Sequence, residues 1–257
     1  MDLDFLTHTP FWIALGQIIV IDILRGGDNA VVIALACRKL PRAQRTKGIV
    51  WGTAGAIVLR VILIVFAMTL LQLPFLKVVG ALLLLWIGVK LLAPDEDGHG
   101  DIQGSDKLLA AIKTIIVADL VMSVDNVIAI AGAAQTSHQD HQVLLVTLGL
   151  LISIPIIVWG SQLVIKLMER FPLVIVLGGM LLGWIAGGML VTDPVFVHPD
   201  KWAWMPKLGS LDDKGLAVVP PALYYGAHVV GALLVLAVGK LVAARRPAPA
   251  AHEAGHG

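Results

Sequence analysis

Long apolar runs alternate with short polar breaks along the chain, and the length of the runs decides its solvent. A helix crosses a hydrocarbon core of about 30 Å with about 20 mostly apolar residues. Seven runs of that kind occur, at about 11–36, 48–70, 74–92, 108–134, 143–165, 172–191 and 219–242. No ten-residue stretch alternates as a barrel strand would, and backbone polar groups in lipid must be satisfied within their own segment, so each run is predicted as a helix. The polar breaks carry the orientation. RKLPRAQRTK at 38–47, Lys166 with Arg170, and Arg245 with Arg246 all fall on one side of an alternating seven-span path. Basic loops stay in the cytoplasm, which puts the N-terminus outside and the C-terminus inside. The acidic, Gly-rich PDEDGHGDIQGSD at 94–106 is then a cytoplasmic linker. Residues 192–218 form an external loop, whose Trp202 and Trp204 suit an interfacial anchor.

The pattern also repeats. Displaced by 97 residues, Val20 meets Val117, Asp22 meets Asp119, Asp28 meets Asp125, Asn29 meets Asn126 and Gly52 meets Gly149. After one inserted residue, Gly80 meets Gly178 and Trp86 meets Trp184. Apolar matches are easy to find in such a chain, but a D-x5-DN motif in both halves is not. A three-span unit ends on the side opposite its start, so two in series run in opposite senses, the inverted-repeat plan of many transporters. The predicted fold is therefore an all-α polytopic membrane protein: seven transmembrane helices as two inverted three-helix repeats plus one extra helix. Its parts are a first repeat at 1–93, the linker at 94–107, a second repeat at 108–191, the external loop at 192–218, and a seventh helix with its cytoplasmic tail at 219–257.

Composition agrees with a membrane solvent, at 58% hydrophobic and 14% charged residues with a mean hydropathy of +0.87. The net charge of +1 says little about partners, because position between spans matters more than the sum. The lone Cys37 excludes an internal disulfide and a cysteine-built metal site, and reads as a small buried hydrophobe. The N-terminus, MDLDFLTHTP, has acids where a secretory signal carries positive charge, so the first helix reads as retained.

Against that background the intramembrane carboxylates stand out. At about 1.5 Å per residue, Asp22, Asp28, Asp119 and Asp125 fall in one layer about 12 Å thick near the midplane, with Asp22 level with Asp125 and Asp28 level with Asp119. A carboxylate there costs on the order of 3 kcal/mol on insertion scales, so these groups face each other or water rather than lipid. Asp22 and Asp28 lie about 120° apart on a regular helix, and Gly26-Gly27 supplies an expected break between them. The second copy has Ser123-Val124 there instead. Arg25 and Arg60 are the counter-charges of the layer. Four aspartates and two arginines leave a formal charge of minus two, which one divalent cation or two protons would neutralise. Desolvation and like charge favour protonated carboxylates in general, so exchange of ion for protons is a consistent scheme.

The donors on offer are the carboxylates of Asp22, Asp28, Asp119 and Asp125, the amide oxygens of Asn29 and Asn126, backbone carbonyls and water. Such hard oxygen ligands suit magnesium, calcium or manganese, whereas zinc or copper would ask for His and Cys. His228, near Tyr224 and Tyr225 in the seventh span, reads as a hydrogen-bonded packing residue with a ligand or proton-relay role as the alternative. Buried Asp and Asn pairs can also simply glue helices. Gly52 and Gly55 read as close-packing positions. The histidines of the linker and tail, His99, His252 and His256, are weak candidates for capturing metal.

GGDNAVVIA and SVDNVIAIA, in a seven-span chain with a hydrophilic break after the third span, resemble the TerC family of integral membrane proteins, in particular its shorter bacterial members. The resemblance spans about residues 11–242. It implies a place in the LysE-like transporter group, manganese efflux from the cytoplasm, an association with tellurite resistance, and residence in the bacterial inner membrane. The matching positions are Asp22, Asp28 and Asn29 with Asp119, Asp125 and Asn126. Regulation through the extra domains of longer members does not transfer. The expected partners are membrane lipid and the transported divalent ion, with no nucleic acid and no resident cofactor; a homo-oligomer is compatible with the sequence. Export of tellurium oxyanions or small amino acids is the alternative transport reading, and metal loading of exported proteins through the external loop is a third. No nucleophile and base pair, P-loop or dinucleotide fingerprint supports an enzyme. A retinal-type receptor is excluded because Lys240 lies at the end of the last span rather than its middle.

Overall fold

The computed structural model describes residues 9–66, 73–93, 104–134, 142–197, 204–211 and 217–245. Side chains at 9–10, 14, 21–26, 64–65, 104–105, 124–134, 142–147 and 150 lie outside the description. Seven long helices run through these residues: α1 Thr9–Cys37, α2 Arg42–Val65, α3 Leu76–Leu92, α4 Gly104–Ala134, α5 Gln142–Arg170, α6 Leu173–Val191 and, last in the chain, α8 Pro221–Ala244. Between α6 and α8 come the short α7, Pro194–Val197, and a two-stranded ribbon in which β1 Ser210–Leu211 pairs antiparallel with β2 Ala217–Val218. Four helical segments among the described residues, Arg42–Leu63, Leu151–Arg170, Leu173–Val191 and Pro221–Ala244, are long and apolar enough to cross a membrane. Their outer faces carry large apolar side chains, with Trp51 65% and Trp159 68% exposed. A water-soluble surface would not sustain that many, so these faces meet lipid. The chain is a multi-pass membrane protein.

One expectation is corrected. Gly26-Gly27 was predicted to break the first span, but α1 is helical through both. Glycine lowers helix propensity by only about 1 kcal/mol, and a segment surrounded by packed helices retains its ladder despite that. The second helix also starts at Arg42 rather than near 48, its first turn being polar and basic.

The helices do not pack in sequence order. α1 lies mainly against α5 and α2 mainly against α4, while α3 pairs with α6 and α6 with α8. Small residues set how closely they approach. A Cβ on Gly52 of α2 would lie 2.5 Å from Ile115 Cδ1 of α4, and one on Gly149 of α5 would lie 2.5 Å from Ile18 Cγ2 of α1. Ile18 and Ile115, both wholly buried, are thus knobs set against glycine-floored holes. The core runs through the C-terminal half of α1 and the inner faces of α3, α4 and α6, with Leu35, Leu84, Ile115 and Leu182 fully enclosed.

Helix ends find partners at long range. α3 starts after Phe75, which sits in the left-handed region at φ 64° and offers no side-chain cap. Asp193, wholly buried, supplies the cap from the far side of α6. Its carboxylate accepts backbone N–H bonds from Phe75 at 3.1 Å, Lys77 at 2.9 Å and Val78 at 3.1 Å, and from Val195 at 2.9 Å. An anion at that end also meets the positive pole of the helix dipole. At the opposite end of α3, Arg38 donates to Leu91 O at 2.8 Å and Lys39 to Ala93 O at 3.0 Å. Part of the positive charge in the loop after α1 therefore serves as a C-cap.

Candidate functional site

The chemistry gathers where α1, α2, α4 and α5 meet. Asn29 lies one residue past Asp28 on α1 and turns inward, 4% exposed. Asp28 is half-buried, and its Oδ1 accepts the Asn29 backbone N–H at 2.8 Å. From α2 come Thr53 and Arg60, seven residues and so about two turns apart on one face. α4 contributes Asp119 and Met122, and α5 contributes Ile157.

These side chains, Asp28 excepted, line one cavity. Its volume is about 20 Å³. A single water needs about 10–15 Å³, so in this conformation there is room for one small ion or a water or two.

Its polar wall divides into a satisfied part and an unsatisfied part. Arg60 forms a buried ion pair with Asp119 Oδ1. Arg60 Nε also donates to Ser123 Oγ at 3.1 Å, and Ser123, one helical turn beyond Asp119, donates to Asp119 Oδ2 at 3.1 Å. Both oxygens of that carboxylate are engaged. Breaking a buried pair of this kind from one side costs about 3–5 kcal/mol, because the remaining charge stays buried. By contrast, the amide nitrogen and oxygen of Asn29 and the hydroxyl of Thr53 are buried without a hydrogen-bond partner among the described residues. Buried polar atoms are nearly always paired, so three such atoms at one cavity mark it as the candidate site.

Of the residues expected from the sequence, Asn29 and Asp119 line this cavity and Asp28 adjoins it. Arg60, expected as a counter-charge, is paired with Asp119. Asp22, Arg25, Asp125 and Asn126 lie outside the residues whose side chains are described, as do Trp202 and the linker and tail histidines. Among the described residues no three His, Cys, Asp or Glu side chains converge as a metal cluster. Sequence reasoning missed Thr53, which looks like one small residue in an apolar run. It also missed Ser123 as a partner, although its spacing of four from Asp119 puts both on one face.

His228 stands apart from this centre, at the α6–α8 seam. Its Nδ1 lies 2.7 Å from Tyr224 O, and its ring stacks edgewise on Trp184 with centroids 4.8 Å apart. A Cβ on Gly188 would collide with the imidazole, so that glycine makes room for it.

The geometry agrees with the chain's relatives in kind, since those are membrane proteins too. The chain is 45% identical over 183 residues to the uncharacterized membrane protein YjbE of Bacillus subtilis, covering 71% of this chain and 81% of that one. It is 31% identical over 135 residues to the uncharacterized membrane protein YceF of the same organism, covering 49% and 52%. It is 25% identical over 220 residues to the inner membrane protein YgdQ of Escherichia coli, covering 77% and 87%. No solved structure matches the chain. Residues 7–246 match the integral membrane protein TerC family, and with nearly the whole chain so covered, this protein belongs to the TerC family.

Proposed function

We propose that this protein is an inner-membrane transporter that exports a divalent metal cation, manganese above others, from the cytoplasm in exchange for protons. The observation that carries the proposal is the small cavity where α1, α2, α4 and α5 meet, in which the Asn29 amide and the Thr53 hydroxyl are buried without a partner among the described residues, beside Asp119. Its size suits an ion, and its donors are hard oxygens. The acids and amides of Asp22, Asp28, Asn29, Asp119, Asp125 and Asn126 form the layer through which the ion passes. Manganese is favoured over magnesium and calcium by the family resemblance rather than by ligand type.

The packing of the helices supports two halves that move against each other. Exchanging α1 with α4, α2 with α5 and α3 with α6 turns the α1–α5 contact into the α4–α2 contact and leaves the α3–α6 contact unchanged. The knobs obey the same exchange, since Ile18 and Ile115 are 97 residues apart and so are Gly149 and Gly52. Two related halves with the ion at their interface are suited to alternating access.

Flux of manganese across vesicles containing the purified protein, with and without Asp125→Asn, tests the reading. Loss of flux in the variant is expected; equal flux removes that residue from the path, and no flux in the unmodified protein overturns the function. A second reading, transport of tellurium oxyanions, would need a cationic contact for the anion, and Arg60 in the cavity wall is already paired with Asp119. Growth on tellurite against growth on excess manganese separates the two.

A further inference from the structure

The cavity wall adds one sulfur to the oxygens already described. Three residues of α4 line it, Ile115, Asp119 and Met122, spaced four and three apart and so aligned as one stripe. Two of them are already engaged. Ile115 is the knob over Gly52, and Asp119 has both oxygens taken up by Arg60 and Ser123. Met122, 3% exposed, completes the stripe, and among the lining residues it alone carries sulfur. A leucine would fill apolar space with a better-defined rotamer. What methionine brings beyond volume is a polarizable thioether on three rotatable bonds, which turns toward a neighbouring atom with no shift of backbone. It lines the same cavity as the Asn29 amide and the Thr53 hydroxyl, which are buried and have no partner among the described residues.

We infer that Met122 is a selectivity residue of this cavity, its thioether a ligand that favours a transition-metal ion over magnesium and calcium. The inference rests on the cation-transport reading above and deepens it. An amide oxygen, a hydroxyl and water accept manganese, magnesium and calcium alike, so oxygen donors alone discriminate by size and ligand number. Magnesium gives up its water reluctantly and calcium takes about six to eight oxygens, so either ion loses an oxygen ligand to a sulfur it binds poorly. A transition-metal ion is more polarizable and tolerates the exchange, and a soft ion gains from it. For manganese, a hard member of that series, the sulfur serves mainly by holding magnesium and calcium out. Cadmium, softer than any of these and close to calcium in size, is the probe that reports the sulfur directly.

The test is competition among these four ions for the detergent-solubilised full chain by equilibrium dialysis, read together with X-ray absorption at the cadmium edge. The unmodified protein should bind manganese and cadmium in preference to magnesium and calcium, and stoichiometric bound cadmium should show a sulfur neighbour. Met122→Leu keeps the volume, so the fold should stand. Its cadmium affinity should fall about tenfold, the low end of the loss when one supporting group leaves a metal site. Magnesium and calcium should bind that variant as well as before or better, and the sulfur neighbour should vanish. Cys37→Ala, which removes the chain's one thiol, should change none of these readings. Unaltered selectivity in Met122→Leu, or a sulfur neighbour that survives there, makes Met122 a packing residue and overturns the inference while leaving cation transport standing. Should Met122→Leu not fold, the cadmium spectrum of Cys37→Ala decides alone: a sulfur neighbour supports the inference and an all-oxygen shell overturns it. No divalent ion bound by the unmodified protein overturns the transport reading itself and the inference with it.

Discussion

A threonine or serine inside a helix usually hides its hydroxyl by bonding a carbonyl one turn back. Thr114 does so to Ala110 O at 2.8 Å and Ser161 to Ile157 O at 2.8 Å. Thr53, 3% exposed and so buried as Ser161 is, has no such bond. That difference is the physical reason to read its hydroxyl as a ligand. Thr53→Val keeps volume and β-branching, so thermal unfolding should be unchanged or slightly raised once the orphan is gone. Manganese affinity should fall about tenfold, the scale of a lost hydrogen bond to a charged group; equal affinity would reduce Thr53 to a packing residue. Asp193 is the opposite case, a polar group with every need met. Asp193→Ala strips an acceptor from four N–H groups and should lower stability by about 2–4 kcal/mol, with Asp193→Asn intermediate, in thermal unfolding in detergent.

At the scale of elements, the seams between helices are built by small residues. Gly52→Ala forces a methyl against Ile115 and should cost about 1–3 kcal/mol as overpacking. The partner atom is Cδ1, the flexible end of the side chain, so Ile115→Val should recover much of the loss. The related Gly149→Ala meets Ile18 at Cγ2, which valine retains, and Ile18→Val should not rescue it. Equal rescue at both seams would show that general loosening, not the named atom, governs the response. The α6–α8 seam is tighter still, since a Cβ on Gly187 would run into the Ala227 carbonyl, and backbone cannot move aside as a side chain can.

For the whole molecule, the informative contact is one that joins α2 to α5 at the end where α2 begins and α5 finishes. Arg45 pairs there with Glu169, and its other nitrogens donate to Leu40 O at 3.0 Å and Arg38 O at 2.9 Å. If the halves rock about the central cavity, this end has to open to admit an ion from its side. Arg45→Cys with Glu169→Cys, in a Cys37→Ala background and joined by a short bis-thiol reagent, should stop manganese flux while leaving manganese binding intact. Undiminished flux in the joined protein would mean that this end does not part during transport.

How much of this could be read without coordinates differs from feature to feature. Run lengths and loop chemistry suffice for membrane helices, because a bilayer imposes one length scale and one polarity rule on any chain that crosses it. The displaced D-x5-DN motifs point to Asp28, Asn29 and Asp119, since a carboxylate in an apolar run is costly enough to need a reason. Gly26-Gly27 misled for the converse reason: propensity is a local term of about 1 kcal/mol, and packing of α1 against α5 outweighs it. Tertiary structure alone decided that Arg60 belongs to Asp119, that Thr53 faces the cavity, and that Asp193 caps a helix more than a hundred residues earlier in the chain. Each of those depends on which faces of distant helices meet, and linear spacing carries no information about that.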